Sequence, residues 1–573
     1  MSGRVVLTNT NTSAVDCFCG HEDAGEVATA MNRRVRHLSS ALAAEVVLCC
    51  TGASCVQGQS AVPLASNWRD VWSPLGAIAQ LPRAEPVRAV EQPDLLREPH
   101  RRVGLFWFAA NPAALRNDVT ENRAEFQAGL LDVHGGYRRP LDAGRELHRL
   151  ASGYARGALG PNGAGVGRVV VDRSSLDEGV FADVVRPYTT EPYAVLDTLG
   201  EPTAGTSLLV EGAGGWRLGP LSYGVALGHA SSDVRTVESA VPRVMRLSTT
   251  GLTAGTVVEV LRGRLWVGPY GRWQQTAESA SIYSVAATSR VYALSGYQDP
   301  LQINLIGGLF SRRFERNARA AGVAASAGVG SVLLVAYGQR ERLSASNFDQ
   351  TATAAPEDRW IARGWSAGAA MQTPLLSDRA TLTVDGHLTT ISGDAEQAGI
   401  EGIPFAAKES QLTVTADLRC ELAAGMESAL LLGATRAERD RSDALAEVSS
   451  TIVTWHPSAA LEFVRWFGER VAVAVAAATM EHNPSGTLPL AARMGPVYRN
   501  WIAPELEFEA TASSSWAGAT TLRWQLRPST AIWLQAQYAR NSPLQQGTPR
   551  LPNAPTGDRS TLVALVGVVL GGR

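Results

Sequence analysis

The chain has 573 residues, of which 45% are hydrophobic, with 52 basic and 54 acidic side chains and a formal net charge of −2. A protein that binds nucleic acid normally carries a basic excess, so this balance gives no electrostatic support for such a partner, and we expect none. The 55 glycines and 14 tryptophans, with few lysines, favour strands and turns over helical bundles.

Residues 31–60 have the pattern of a secretory signal peptide. A basic stretch at 31–37 precedes an apolar run, and small residues follow near its end. Residues 1–30 show no such pattern, so we expect them to be a mis-annotated extension, with translation starting at Met31 rather than Met1. An amphipathic surface helix is the alternative interpretation of the apolar run.

The cysteines agree with export from the cytoplasm. Five of the six lie before the expected cleavage, which falls between Ser54 and Ala61, and Cys420 alone follows it. A mature chain so poor in thiols is typical of an exported protein without a disulfide framework. Lipid attachment at Cys55 is the alternative, but Gly52 stands where a lipoprotein signal usually has an aliphatic residue.

Residues 61–120 are polar and rich in proline in their first part. We expect this segment to be a plug inside the following domain or a periplasmic extension beneath it, and a linker is the alternative.

From about residue 206 onwards the sequence shows a two-residue alternation, and we assign residues 121–573 to the domain that contains it. The segment 411–420, for example, sets Leu412 and Val414 against Thr413 and Thr415. Segments of about ten residues are long enough for tilted strands to cross a membrane. We therefore predict an all-β chain that forms a transmembrane antiparallel β-barrel of about 14–18 strands. A soluble β-sandwich or β-solenoid is the alternative.

The uncharged run 320–339 could mimic a spanning helix, but its Gly-Val-Gly-Ser centre is a poor helix interior, so it predicts two strands around a turn. Short turns at 423–426 and 467–470 alternate with long polar segments, which is the asymmetry of outer-membrane barrels. The long segments are 340–358, 392–410, 436–449, 482–499 and 541–560.

The end of the chain fits this scheme less well. The short turns at 511–515 and 527–530 follow each other directly, against the expected order. Residues 561–570 predict a closing strand, although the chain ends Gly571-Gly572-Arg573 where such barrels commonly end in an aromatic residue.

Asn111-Pro112-Ala113, after the aromatic residues 106–108, resembles the start of fatty-acid-channel-type outer-membrane barrels. A closer resemblance is to a family of large outer-membrane β-barrel proteins best known from Bacteroidetes. It is carried by 191–200, the glycine-rich strands within 206–231, and 312–317. The resemblance covers about residues 65–573 and implies the fold and an outer-membrane location, but it brings no activity. A departure is 238–243, where the family has a basic turn.

Polar residues on the inner faces of the predicted strands are the candidate site residues. Glu505, Glu507 and Glu509 alternate with apolar residues, which predicts an acidic strand face paired across the lumen with arginines. A pairing of Glu507 with Arg523 is the form of this hypothesis that a charge reversal would test. The candidate luminal residues are Asp385, His387, Asp417, Arg419, Glu505, Glu507, Glu509, Arg523 and Arg527.

Several segments resemble catalytic or metal-binding motifs, but each lacks the neighbouring residues or secondary structure that the motif requires. Residues 364–368 read Gly-Trp-Ser-Ala-Gly, a nucleophile-elbow pattern, but no helical pattern follows Ser366. His387 and His229 lie within predicted strands, and a luminal polar role is preferred to catalysis. The glycine-rich 160–167 lacks the lysine of a phosphate loop. Asp440, Asp443 and Glu447 match no calcium template. We predict no catalytic residue, no metal site and no cofactor.

The sequence thus predicts a cell outer-membrane protein that is a pore or channel for a small or amphipathic solute. The alternatives are a barrel that anchors an envelope assembly without transport, and an outer-membrane hydrolase. The expected partners are outer-membrane lipid, the barrel-insertion machinery during biogenesis, and an unknown solute or envelope protein.

Overall fold

The computed structural model describes residues 103–106, 111–119, 122–139, 142–182, 192–237, 243–283, 290–297, 301–304, 309–349, 358–375, 379–397, 401–488, 502–527, 529–544 and 556–571. The predicted start extension and signal peptide lie outside the described residues, as does the first part of the segment 61–120.

Strands dominate the described residues, with three short helical elements among them. The helical elements are a 3-10 helix (Pro112–Ala114), α1 (Leu115–Asp118) and α2 (Ala503–Glu509). No described helix has the length and apolar character needed to cross a membrane. The strands are β1 (Arg123–Gly135), β2 (Arg145–Ala158), β3 (Gly163–Ala182), β4 (Tyr193–Leu218), β5 (Leu221–Thr236), β6 (Arg243–Leu261), β7 (Leu265–Tyr283), β8 (Arg290–Ser295), β9 (Leu301–Asn304), β10 (Leu309–Val329), β11 (Val332–Asp349), β12 (Asp358–Leu375), β13 (Ala380–Gln397), β14 (Phe405–Ala423), β15 (Met426–Asp443), β16 (Val448–Phe467), β17 (Val471–Thr487), β18 (Ser513–Arg527), β19 (Thr530–Pro543) and β20 (Arg559–Gly571).

The strands close into one antiparallel barrel. Successive strands pair with each other, β7 pairs with β10, and β20 pairs with both β19 and β1. The short strands β8 and β9 form a hairpin, and among the described residues its pairing with the wall is with the first residues of β4. Leaving that hairpin out, the described strands give an eighteen-stranded wall. The prediction of an all-β barrel of about 14–18 strands is confirmed, and 561–570 lies in the closing strand as expected.

The two faces of the wall differ as the alternation predicts. On β14 the outward Leu412 and Val414 are more than 40% exposed, whereas Thr413 and Thr415 point inward. Large apolar side chains stand outward on strands all around the barrel, including Phe126, Val225, Leu334, Leu432, Phe463 and Leu534. Because a hydrocarbon layer would cover these side chains, the outer face suits a membrane.

The two ends of the barrel differ in how their strands are joined. At one end, which we call the turn end, tight turns follow the even-numbered wall strands β2, β4, β6, β10, β12, β14, β16 and β18. Left-handed glycines make several of these turns, such as Gly330 (φ 63°) and Gly425 (φ 73°). The predicted hairpin within 320–339 and the turns at 423–426 and 467–470 are confirmed. The opposite end, the loop end, carries the longer connections.

The long polar segments predicted as loops at the loop end are partly strand, so the loops are shorter than predicted. β11 continues to Asp349, β13 to Gln397 and β15 to Asp443, all well inside segments predicted as loops. Beyond the apolar belt the outward residues become polar, such as Ser344 and Ser346 of β11, while several inward residues are apolar. The alternation of the belt therefore disappears from the sequence while the backbone pairing continues. The predicted turn at 511–515 is also wrong, since β18 starts at Ser513, whereas the chain does turn near 527–530.

Trp360 anchors an apolar cluster near the loop end. Its side chain is fully buried against Phe405, with ring centroids 6.2 Å apart, and also packs over Gly393. We expect Trp360→Ala to destabilise the barrel by about 3–5 kcal/mol, because the cavity cannot collapse in a closed wall. The temperature at which the folded gel band converts on heating measures this. Trp365→Ala, on the outward face of the same strand, is the control, and an equal loss there would contradict the packing argument.

Candidate functional site

The inward faces of the strands line a lumen with charged groups in its wall. Arg168 of β3 and Glu211 of β4 form a 2.8 Å ion pair whose side chains are 0% and 2% exposed. Arg316 of β10 pairs with Glu278 of β7. Because these charges are paired within the wall, the lumen can be polar without isolated buried charges.

Residues 103–106 and 111–119, which we call the amino-terminal plug, pack against the inner face of the wall near the turn end. Ala113, Ala114 and Leu115 are completely buried. They belong to a cluster with inward residues of eight wall strands, among them Val166, Ala226 and Tyr337. This part of the predicted segment 61–120 therefore lies within the barrel.

Asn111 attaches the plug to an interruption in the wall. The pairing of β6 with β7 stops at Gly255 and resumes at Val258. The Asn111 amide Nδ2 donates to the backbone carbonyls of Thr256, at 3.2 Å, and Gly268, at 3.4 Å. Its Oδ1 accepts the backbone N–H of Ala113, at 3.1 Å. A buried asparagine thus satisfies carbonyls that the ladder leaves open, which fixes the plug to one place in the wall.

A row of glycines lets the plug approach the wall. Gly215, Gly224 and Gly255 are direct register partners on β4, β5 and β6. A Cβ on Gly224 would lie 2.4 Å from the carbonyl of Pro112, and one on Gly255 would lie 2.3 Å from Oδ1 of Asn111. The backbone of the plug therefore occupies the space that side chains would fill, and this glycine row is its socket.

At the loop end, α2 folds into the lumen. This corrects the prediction for Glu505, Glu507 and Glu509, which lie on a short helix and not on a strand. The helix begins with Ala503 and Pro504, and proline suits a first turn because it lacks an N–H that would remain unbonded. Ala503 and Leu506 pack into the apolar cluster of Trp360.

Arginines from two sides hold the acidic residues of α2. Arg139, in the β1–β2 connection, lies 3.1 Å from Oε1 of Glu505. Arg439 of β15 donates to Glu509 at 2.6 Å, and Arg441 lies 4.0 Å from the same carboxylate. The Glu509 side chain is 3% exposed. We call α2 with these ion pairs the lid, since it joins β15 to the β1–β2 connection across the loop end.

Further contacts fasten the lid. Tyr137 packs against Phe508 with ring centroids 4.8 Å apart and the rings tilted by 31°, and the Arg139 guanidinium lies 5.8 Å from the Phe508 ring. On β17, Nε2 of His482 is 2.9 Å from the carbonyl of Glu509. A carbonyl can only accept, so this geometry places a proton on that nitrogen of His482.

Asp142 gives the β1–β2 connection a pH dependence. Its carboxylate accepts the backbone N–H of Arg139 at 3.1 Å, and its burial raises the pKa above the ordinary value of 3.8. A raised pKa means that the folded state binds the proton more tightly than the unfolded state does. The stability of the fold therefore falls as the pH rises from 3.8 through the raised pKa of Asp142. We expect Asp142→Asn to raise the unfolding temperature at neutral pH.

That gain should shrink as the pH is lowered towards 3.8, because the wild-type carboxyl then becomes neutral as well. Thermal scans of both proteins at several pH values measure it. A gain that is constant across the pH range would show that the side-chain amide acts through its hydrogen bonds and not through charge.

The structure brings some of the remaining candidate luminal residues together. Asp385 accepts from Thr415 at 2.7 Å and lies 3.6 Å from His387, whose Nδ1 is 3.0 Å from the hydroxyl of Tyr337. Asp417 and Arg419 form an ion pair along β14. The polar chain from Asp385 therefore reaches Tyr337, a residue that packs against the plug.

The predicted pairing of Glu507 with Arg523 is wrong. α2 precedes the first residue of β18, while Arg523 and Arg527 lie towards the opposite end of that strand. Ten residues of strand separate Ser513 from Arg523, which is about 33 Å. The error follows from assigning α2 to a strand continuous with β18.

Ser366 lies within β12, and the strand continues to Leu375 without the helix that a nucleophile elbow needs. Its side chain is inward and buried. Both ring nitrogens of His387, a diagonal neighbour, face other groups, the Tyr337 hydroxyl and the Asp385 carboxylate. This arrangement does not direct a base at Ser366.

The sequence reasoning missed the arginines that hold the lid. Arg439 and Arg441 share the inward face of β15 with Asp443, and the two-residue period could have shown this. Nothing in the sequence pointed to Arg139, which lies in a loop more than 300 residues before its partners.

No family model matches the chain, and no curated protein does. Similar solved structures include a Pseudomonas aeruginosa FadL homologue, with 11% identity over 83% of this chain and 96% of that one, TM-score 0.34. The closed form of the ferric-catecholate import receptor Fiu from Escherichia coli K12 has 9% identity over 79% and 82%, TM-score 0.39. The CymD monoaromatic hydrocarbon channel has 11% identity over 82% and 93%, TM-score 0.25.

These low values carry no argument about activity. The predicted resemblance to the Bacteroidetes family finds no support among the family models. From its strand pairing and outward apolar face, the chain has the fold of a transmembrane outer-membrane-type β-barrel.

Proposed function

We propose that this protein is an outer-membrane channel for a small amphipathic solute, and that its lumen is closed in series by the lid and the plug. The observation that carries this proposal is that two separate segments fold into the lumen, one from each end. A barrel that serves only as an anchor has no need of two closures held by different contacts. By the usual orientation of such barrels, the loop end faces outward and the turn end faces the periplasm.

The wall near the lid supports an amphipathic solute. Trp360, Phe405 and Leu506 form an apolar surface there, and Leu506 belongs to the lid itself. Displacement of α2 would expose this surface beside charged groups such as Arg316 and Glu278. A solute with an apolar body and a polar end could contact both at once.

The lid can be locked to test this function. Tyr137→Cys and Phe508→Cys, in a Cys420→Ser background, place two thiols where the two rings now pack together. A bifunctional methanethiosulfonate reagent would tether α2 to the β1–β2 connection, and a reductant would release it. Proteoliposomes then report uptake of anilinonaphthalene sulfonate, an amphipathic dye, and of arabinose, a polar sugar.

We expect the tether to abolish uptake of the dye and the reductant to restore it. Arabinose should be taken up more slowly than the dye in the untethered and in the reduced protein. The single-cysteine variants treated with the same reagent are the controls. Uptake that is unchanged by the tether would refute a role for the lid. A folded barrel that passes neither probe in any state would favour the anchor alternative.

A further inference from the structure

Three arginines form a row on the outer face of the barrel. Arg319 of β10 is the register partner of Arg342 of β11, which is in turn the partner of Arg363 of β12. All three side chains are exposed and point away from the lumen. Arg340, the preceding outward residue on β11, is exposed as well.

Such a row is unfavourable without a counterion. Directly opposed residues on antiparallel strands have Cβ atoms about 4.5–5.5 Å apart, and like charges at that distance repel. Outward residues of these three strands and of β7 and β13 flank the row. Among those that the structure describes, the nearest carboxylate is Asp394 of β13, which lies two residues beyond Ser392, the register partner of Arg363. The other flanking positions hold Trp273, Asn317, Ala321, Ser344, Ile361, Trp365 and Ser392.

The row lies where the apolar belt ends. From the turn end, the outward residues of β10 up to Arg319 are apolar, as are those of β11 up to Arg340. On β12 the outward residues just before Arg363 are Ala367 and Trp365. Trp365, and Trp273 of β7, which is the register partner of Arg319, are of the residue type that marks the boundary between hydrocarbon and headgroups. The guanidinium groups are therefore at headgroup level in the leaflet on the side of the loop end.

We propose that the row Arg319, Arg342 and Arg363 binds the phosphate groups of a phosphorylated glycolipid in the outer leaflet. Guanidinium groups bind phosphate through paired, charge-assisted hydrogen bonds. A ligand with more than one phosphate can neutralise adjacent arginines together while its acyl chains cover the apolar belt below. This site rests on the proposed membrane location but is independent of transport.

The test compares two triple variants of the full-length protein. The first, which we call the row variant, carries Arg319→Gln, Arg342→Gln and Arg363→Gln and so removes the row. The control, Arg145→Gln, Arg235→Gln and Arg436→Gln, removes three outward charges that already have carboxylate partners, namely Asp132, Asp233 and Glu438. Native mass spectrometry in detergent measures the binding of diphosphorylated lipid A, with phosphatidylglycerol and inorganic phosphate as competitors. Heat-modifiable migration on a gel reports folding of each variant.

We expect the row variant, still folded, to bind diphosphorylated lipid A at least about tenfold more weakly, since each basic residue near a lipid surface contributes about a factor of five. The control should stay within about twofold of wild type. Equal binding by the row variant would overturn the proposal. So would full competition by phosphatidylglycerol, which indicates a general attraction of anionic lipid, or by inorganic phosphate, which indicates a site for the free anion.

Discussion

Gly224→Val is expected to expel the plug from its socket. The added Cβ would lie 2.4 Å from the carbonyl of Pro112, which is backbone and cannot rotate away. Overpacking of this kind costs about 1–3 kcal/mol, so the undocked population should rise about five- to a hundredfold. Hydrogen exchange at residues 111–119 measures it, and amides there should exchange faster by that factor while the strands of the wall stay protected.

Gly328→Val is the matched control for this prediction. Gly328 also lies on the inward face near the turn end, but a Cβ there would have its nearest neighbour at 4.0 Å. Asn111→Ala offers an independent route, since it leaves the carbonyls of Thr256 and Gly268 without their donor. If plug exchange is unchanged in both Gly224→Val and Asn111→Ala, the plug is not held by this socket.

Glu509→Gln is expected to release the lid. The substitution keeps the shape of the side chain but leaves Arg439 and Arg139 facing a neutral amide at a buried site. Removing one partner of a buried ion pair costs about 3–5 kcal/mol. The low end of this range applies here, because Arg439 keeps Glu409 and Arg139 keeps Glu505 as ion-pair partners. Exchange of amides in 502–512 should therefore accelerate by about a hundredfold or more, with the wall again unaffected.

The control is Glu438→Gln on the outer face of the same strand that carries Arg439. Glu438 pairs with Arg436 at 2.8 Å, but both side chains are more than 30% exposed. An exposed pair contributes less than about 1 kcal/mol, so lid exchange should stay near that of wild type. Equal effects of Glu438→Gln and Glu509→Gln would mean that total charge, and not this ion pair, controls the lid.

The fold was predictable because a membrane imposes a strong pattern. Where a strand crosses the apolar belt, outward residues such as Leu412 and Val414 must be apolar, and the two-residue period follows directly. Beyond the belt this requirement ends, so the sequence did not show that β11 and β13 continue. The two-residue period that assigned Leu412 and Val414 of β14 to the outward face also assigned Thr413 and Thr415 to the luminal face.

The closures were not predictable, because their contacts are not periodic. The alternation of Glu505, Leu506, Glu507, Phe508 and Glu509 fits a strand, yet a proline at the first turn and packing of Leu506 under Trp360 give a helix. The socket depends on three glycines from three strands meeting one turn of the plug. The three glycines lie side by side because of the register between the strands, and this register could not be derived from the sequence alone.

Single-channel conductance of the combined Gly224→Val and Glu509→Gln variant in planar bilayers tests the central claim most directly. Because the proposed channel is closed in series by the plug and the lid, each single variant should conduct little more than wild type. The combined variant should show frequent, long openings. Conductance in the combined variant no greater than in wild type, with plug and lid both shown to be released by hydrogen exchange, would contradict a channel closed at these two levels.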